Sequence, residues 1–267
     1  MKMCVSTLAC PDWNLEQIIT AAADAGLQGI DFRGVGTEMD ITRLSAFTSG
    51  LADTLASLRA NRLVMPCINT SVALLTVGTQ KWEAMLEEFE RHVILAAVTG
   101  TGFLRIFGGH APNDMPREHA VAVATRHLRQ LLKMTAGVSC IPLLETHDDW
   151  VTSGQVMELL GRFDAEEAGV IWDVEHPYRK GEPPQQTVAG LGEYLRHVHF
   201  KDGLVRGERR HSTLLGQGDL PLKDCYESLR RIGYDGWICL ETEKRWDASA
   251  PDPEVSLPQF VQFMRNL

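Results

Sequence analysis

This 267-residue chain predicts an α/β fold, a (β/α)8 TIM barrel in one domain spanning residues 1–267. Three observations carry the expectation. Short apolar runs alternate eight times with longer stretches of helical periodicity. Strands that alternate with helices pair in parallel through right-handed crossovers, and eight such units in a chain of this length fit a closed barrel better than an open doubly wound sheet. No linker, low-complexity tract or composition shift divides the sequence.

Taken in order, the first strand is expected over Lys2–Ser6, followed by the helical pattern NLEQIITAAADAG with a glycine stop at Gly26. Strands over Gly29–Arg33 and Leu63–Ser71 come next, and then QKWEAMLEEFERHVILAAVTG, a helix stopping at Gly100. Phe103–Gly109 precedes the helix REHAVAVATRHLRQLLKMTAG, and Ile141–His147 and Gly169–His176 are the fifth and sixth strands. His197–Lys201, the helix PLKDCYESLRRIG and the strand Gly236–Glu243 complete the series. The one glycine-rich place, GVGTE at 34–38, lacks the G-x-G-x-x-G spacing of a dinucleotide fold.

Composition excludes several classes of function. With 26 basic against 35 acidic residues the formal charge is −9, which argues against a phosphate-backbone partner and for a small-molecule substrate. The six cysteines are scattered without a C-x-x-C pair and read as reduced thiols of a cytoplasmic protein. No segment approaches the ~18 consecutive apolar residues of a membrane span, and the apolar run at the N-terminus is too short for a secretory signal. A homo-oligomer is compatible with the sequence.

In such barrels chemistry gathers at the C-terminal ends of the strands, drawn from several units. Four consecutive strands here close on acidic or imidazole groups: LLETH, IWDVEH, HVHFKD and ICLETE. Alternate residues of a strand share a face, so Leu143, Glu145 and His147 point together, as do Ile171 and Asp173, His197 and His199, and Cys239 and Glu241. Three carboxylates and an imidazole facing one interior repel one another unless protons or a cation compensate. A divalent metal is the economical answer, and oxygen donors with a single imidazole favour Mn²⁺, with Mg²⁺, Co²⁺ or Zn²⁺ as alternatives.

Four motifs, E-T-H at 145–147, D-V-E-H at 173–176, H-V-H-F-K-D at 197–202 and L-E-T-E at 240–243, give the chain a resemblance to the sugar isomerase/epimerase family with a xylose isomerase-like barrel. That family includes ketose 3-epimerases, hydroxypyruvate isomerases and inosose dehydratases, with endonuclease IV as a remote relative. The resemblance implies four metal ligands, Glu145, Asp173, His199 and Glu241, of which the two glutamates also form the catalytic acid/base pair. It implies a substrate contact for His176, a substrate arginine among Arg206, Arg209 and Arg210, and a turn at G-Q-G-D-L, residues 216–220. His147, Lys201 and Arg206 complete the expected substrate-binding set. The loop RRHSTLLGQG lacks the D-x-H pair of the endonuclease, which with the acidic charge argues against DNA repair.

The implied chemistry begins with proton removal beside a carbonyl to give an enediolate. Return of the proton to the other face of the same carbon is epimerisation, and return to the neighbouring carbon is isomerisation. Loss of a β-hydroxyl makes a dehydratase of the inosose or dehydroshikimate type, the main alternative; a barrel that binds its ligand without turnover is the third reading.

Plainer readings accompany several of these residues. His176 also serves to turn the chain before Pro177, and His147 and Trp150 are either a sugar-facing wall or loop packing. Lys201 reads first as a structural ion pair, with a substrate-phosphate contact or a place at the rim as alternatives. Asn69, Ser71, Arg33 and His110 are expected as hydrogen-bonding rim residues, and His92, His119 and His127 as surface or packing groups on helices. His197, one layer deeper than His199, is expected as a core histidine beneath the metal.

Overall fold

The computed structural model describes residues 1–206 and 209–267, the side chains of residues 206 and 209 excepted. In chain order its principal elements are β1 (Lys2–Ser6), α1 (Leu15–Ala25), β2 (Gly29–Asp31), α2 (Leu51–Ala60), β3 (Cys67–Ala73), α3 (Thr79–Thr99) and β4 (Phe103–Phe107). There follow α4 (Arg117–Thr135), β5 (Ile141–Glu145), α5 (Ser153–Leu160), β6 (Gly169–Asp173), α6 (Glu175–Arg179), α7 (Pro184–Leu191) and β7 (Leu195–Phe200). The chain ends with β8 (Asp202–Arg206), β9 (Arg209–Thr213), α8 (Leu222–Arg231), β10 (Trp237–Leu240) and α9 (Pro253–Arg265). Setting aside the β8–β9 hairpin, eight strands among the described residues alternate with helices, the (β/α)8 TIM barrel order that the sequence predicts.

Local chemistry explains the helix limits. Asn14 and Gln17 form a reciprocal capping box at the start of α1, and Gly26 ends it in the left-handed region at φ 83°, where a β-carbon is disfavoured. Gly100 ends α3 in the same way at φ 72°. Thr152 and Gln155 repeat the capping box at α5, whose first turn also receives the buried Glu182 carboxylate on the backbone N–H of Ser153, 3.0 Å away.

The chain packs as two compact units. The first comprises residues 1–66 and 197–267. Its strands run in the order β2-β1-β10-β7, all parallel, with Cys4 level with Cys239 and with Gly29, and Cys239 level with His199. The second unit, residues 67–196, holds β6-β5-β4-β3 in parallel, with Asn69 level with Arg105, Arg105 with Leu143, and Glu145 with Ile171. Cys67, Leu143 and Ile171 form a buried apolar cluster in it, with Phe103 and Ile141 packed against them. Both faces of these strands are covered, which is why β6 is buried at every position and reads as a continuous apolar run.

Most strand boundaries shift by a few residues from expectation, and three of the differences have a clear physical reason. The third strand begins at Cys67 rather than Leu63, because Pro66 has no N–H for the ladder; Val64 makes only an isolated bridge to Gly29. The sixth strand ends at Asp173, whose Oδ1 accepts the N–H of Glu175 at 2.9 Å and starts α6, so His176 lies on a helix. After β7 the chain forms the antiparallel β8–β9 hairpin, where the sequence reading has a loop. The buried Asp202 carboxylate anchors this region by accepting the N–H groups of Gly203, Gly216, Gly218 and Leu220. The resembling turn G-Q-G-D-L is thus held by an aspartate of the H-V-H-F-K-D motif.

Asp247 fastens β9 by accepting from the N–H of Ser212, and it also takes the N–H and hydroxyl of Ser249. Partial burial pushes its carboxyl up, but these hydrogen bonds prevail and bring it down from 3.8 to about 2. A depressed folded pKa stabilises the fold above the unfolded value and is lost as pH falls through the folded one. The stability advantage of the native chain over Asp247→Ala is therefore expected to be full at pH 5 and to vanish as pH falls from 3.8 towards about 2, read by urea denaturation at each pH.

Candidate active site

In the second unit the site is built where β5 and β6 end. Glu145 closes β5 and Asp173 closes β6, both buried, and a carboxylate oxygen of each lies within 4.8 Å of one of the other's. Thr146 ties the two strand ends together, its hydroxyl accepting the N–H of Asp173 at 2.9 Å and donating to the Asp173 carbonyl at 3.2 Å. Asp173 is oriented by the N–H of Glu175 on Oδ1, while His176 Nε2 approaches Oδ2 at 3.6 Å. His176 and His147 meet edge to face, with ring centroids 4.6 Å apart.

Burial pushes the His147 imidazole down, but its hydrogen bond to Asp148 and the charges of Glu145, Asp148 and Asp173 outweigh that and raise it. The Nδ1 of His147 is 2.7 Å from Asp148 Oδ1, so this histidine is held by its own neighbour. Trp150 is fully buried, with the Arg117 guanidinium 4.1 Å over its ring and Gly108 against its edge. A β-carbon on Gly108 would come within 1.8 Å of the indole, so only glycine permits this packing. The loop-packing reading of Trp150 is the one the structure supports.

One residue of this half was missed. Arg105, in the middle of β4 and 2% exposed, places Nε 3.4 Å from Glu145 Oε2 and stacks its guanidinium 3.7 Å over Phe107. Its Nη1 and the Nδ2 of the neighbouring buried Asn69 have no hydrogen-bond partner among the described residues. Asn69 is thus buried beside Arg105 rather than placed on a solvated rim. The available signal was FLRIF, an arginine in the centre of an apolar strand, where only a buried anion can repay its desolvation.

In the first unit the corresponding groups come from β7 and the end of β10. His199 Nδ1 lies 3.2 Å from Glu241 Oε1, and both residues are buried. Lys201, 2% exposed, places Nζ 2.9 Å from Glu241 Oε2 and 2.7 Å from Glu243 Oε1. It is the buried ion pair of the plainer reading and does not snorkel to the rim. Arg210 reaches the other Glu243 oxygen at 3.0 Å. The side chain of Arg206 lies outside the described residues.

His197 is fully buried one layer below, with Nε2 2.6 Å from Asp31 Oδ2. Burial alone would lower its pKa; the charge and hydrogen bond of Asp31, with a contribution from Cys4, raise it to about 9 instead. His199 Nε2 is 3.9 Å from the same Asp31 oxygen. Asp31 was the second residue missed, although GIDFR sets an acidic residue inside an apolar strand much as FLRIF sets a basic one.

The donors of each half, two carboxylates in one and an imidazole with a carboxylate in the other, suit a hard or borderline divalent cation. Among the described residues no helix is long and apolar enough to cross a membrane.

Residues 19–267 match the model of the family described as xylose isomerase-like TIM barrel. The inosose dehydratase of Lacticaseibacillus casei is 25% identical over 108 residues, a match covering 35% of this chain and 36% of that protein's length. Among solved structures, the E. coli 3-keto-D-glucoside 4-epimerase YcjR is 16% identical with a TM-score of 0.80, covering 100% of each chain. The IOLI protein, solved with a bound zinc atom, is 16% identical with a TM-score of 0.82, covering 100% of this chain and 96% of that one. At these identities the structural likeness shows the fold.

Because Arg105 answers Glu145 inside the fold, its loss removes a buried counter-charge from that carboxylate. Arg105→Met is expected to destabilise the protein by about 3 kcal/mol, measured as a shift of the urea midpoint at unchanged slope.

Proposed function

Because the chain belongs to the xylose isomerase-like TIM barrel family, we propose that it is a divalent-metal-dependent isomerase or epimerase that enolises a sugar or keto-polyol. The observation that carries this reading is the pair of buried glutamates at strand ends. Each has a carboxylate oxygen beside a further ligand-type group, Asp173 for Glu145 and His199 for Glu241, and each is faced by one buried cationic side chain.

In this reading Glu145, Asp173, His199 and Glu241 hold one cation, with Mn²⁺ the expected ion and Zn²⁺ the alternative that the IOLI protein recommends. When bound, it would polarise two adjacent substrate oxygens and acidify the carbon-bound proton between or beside them. Glu145 and Glu241 move the proton, one as base and the other as acid, each keeping one oxygen for that purpose. Arg105 and Lys201 hold the two carboxylates in place against rotation and balance their charge. His176 and His147, set edge to face beside Asp173, orient substrate hydroxyls. The whole chain acts as one catalytic domain on a small molecule in the cytoplasm.

Dehydration is the second reading, favoured by the named activity of the inosose dehydratase relative. It uses the same proton removal and differs only in the loss of a β-hydroxyl.

Glu145→Gln and Glu241→Gln are each expected to lower kcat by at least about 100-fold, and substantial retained turnover in either sinks the two-base scheme. Chelation should abolish activity and Mn²⁺ restore it. A panel of ketoses, inososes and keto acids, followed by NMR in deuterated water, separates the reactions. Deuterium uptake without loss of water supports isomerisation or epimerisation, net loss of water supports dehydration, and neither in any substrate rejects enolisation.

A further inference from the structure

Beneath His199 and Glu241 lies a second set of metal-ligand side chains that the proposed reaction does not use. Four strands of one sheet contribute one residue each: Cys4 from β1, Asp31 from β2, His197 from β7 and Cys239 from β10. All four are fully buried, and their donor atoms lie within 4.8 Å of one another. Cys4 and Cys239 are register partners on adjacent strands, yet both are free thiols. His197 Nε2 stands 2.6 Å from Asp31 Oδ2, and Cys4 Sγ stands 3.7 Å from Asp31 Oδ1.

The interior of a parallel barrel is ordinarily filled by branched aliphatic side chains, which bury without electrostatic cost. Here four neighbouring interior positions hold two thiols, an imidazole and a carboxylate instead. Two sulfurs, one nitrogen and one oxygen, all from fully buried residues, form a donor set of the zinc type and differ in kind from the oxygen-rich set above. We propose that Cys4, Asp31, His197 and Cys239 bind a thiophilic divalent cation of the zinc class as a closed structural centre in the first unit.

Tetrahedral ligation at about 2.0–2.3 Å separates donors by roughly 3.2–3.8 Å, inside the span these atoms already occupy. The closest pair, His197 with Asp31, has to open by a side-chain rotation, with the strands left in register. On binding, both thiol protons and the Nε2 proton leave, and the imidazole stays neutral with its proton on Nδ1. With all four ligands fully buried, the ion enters as the chain folds, so metal binding contributes to folding. It would join β1 and β2, from the start of the sequence, to β7 and β10, near its end.

Cobalt is the probe, because thiolate ligation gives Co²⁺ an intense near-ultraviolet charge-transfer absorption that carboxylate and imidazole donors do not. The native chain, Cys4→Ser, Cys239→Ser and the double variant are produced in zinc-depleted, cobalt-supplemented medium, so that the metal is present during folding. The native chain is expected to hold about one cobalt per chain more than the double variant and to show the sulfur-to-cobalt band. Each single serine substitution should weaken the band by about half, and the double variant should lack it. In Glu241→Ala the band should persist, which separates failure of this centre from failure of the enediolate reading. Folded native chain without the band, or a band that persists in the double variant, overturns the proposal. The reading on the native chain requires no variant to fold.

Discussion

Buried charge at the ends of parallel strands is the constraint on which this structure turns. A strand covered on both faces leaves no water for a carboxylate at its end, so each such group must find a cation or an N–H inside the protein. Glu145 meets Arg105, Glu241 meets Lys201, Asp31 meets His197, and Asp173 takes the N–H of Glu175. These pairings fix side-chain directions more firmly than apolar packing would. Carboxylates and imidazoles can thereby be aimed before any ligand arrives.

The same principle organises the polypeptide beyond the strands. Asp202 gathers four backbone N–H groups and so shapes the turn that follows the β8–β9 hairpin, while Glu182 closes the first turn of α5. In both cases a buried carboxylate substitutes for the regular hydrogen bonding that a loop cannot supply to itself.

Much of this was legible in the sequence because it follows from local rules. Asn14 with Gln17, and the stops at Gly26 and Gly100, mark helix ends by interactions within a few residues. Period two placed His197 and His199 on one face at different depths, as found. Arg105 and Asp31 were missed because their partners, Glu145 and His197, lie 40 and 166 positions away. Neither pairing leaves a trace in local spacing. The hairpin was hidden for a related reason: its anchor, Asp202, works through backbone groups, which carry no residue signature. The burial of Trp150 depends on the absent side chain of Gly108, another long-range fact with a single-residue cause.

The division into units has a consequence for the order in which the protein can be made. Residues 67–196 are continuous, so β3, β4, β5 and β6 can pair with one another once that stretch has left the ribosome. The first unit cannot assemble so early: β1 pairs with β10, and Lys2 waits for Trp237. Until the final strand emerges, β1 and β2 keep an unpaired edge that another chain could occupy. The sequence-distant pairing that aligns Cys4 with Cys239 therefore makes the last part of synthesis the interval in which the nascent chain is most exposed to aggregation.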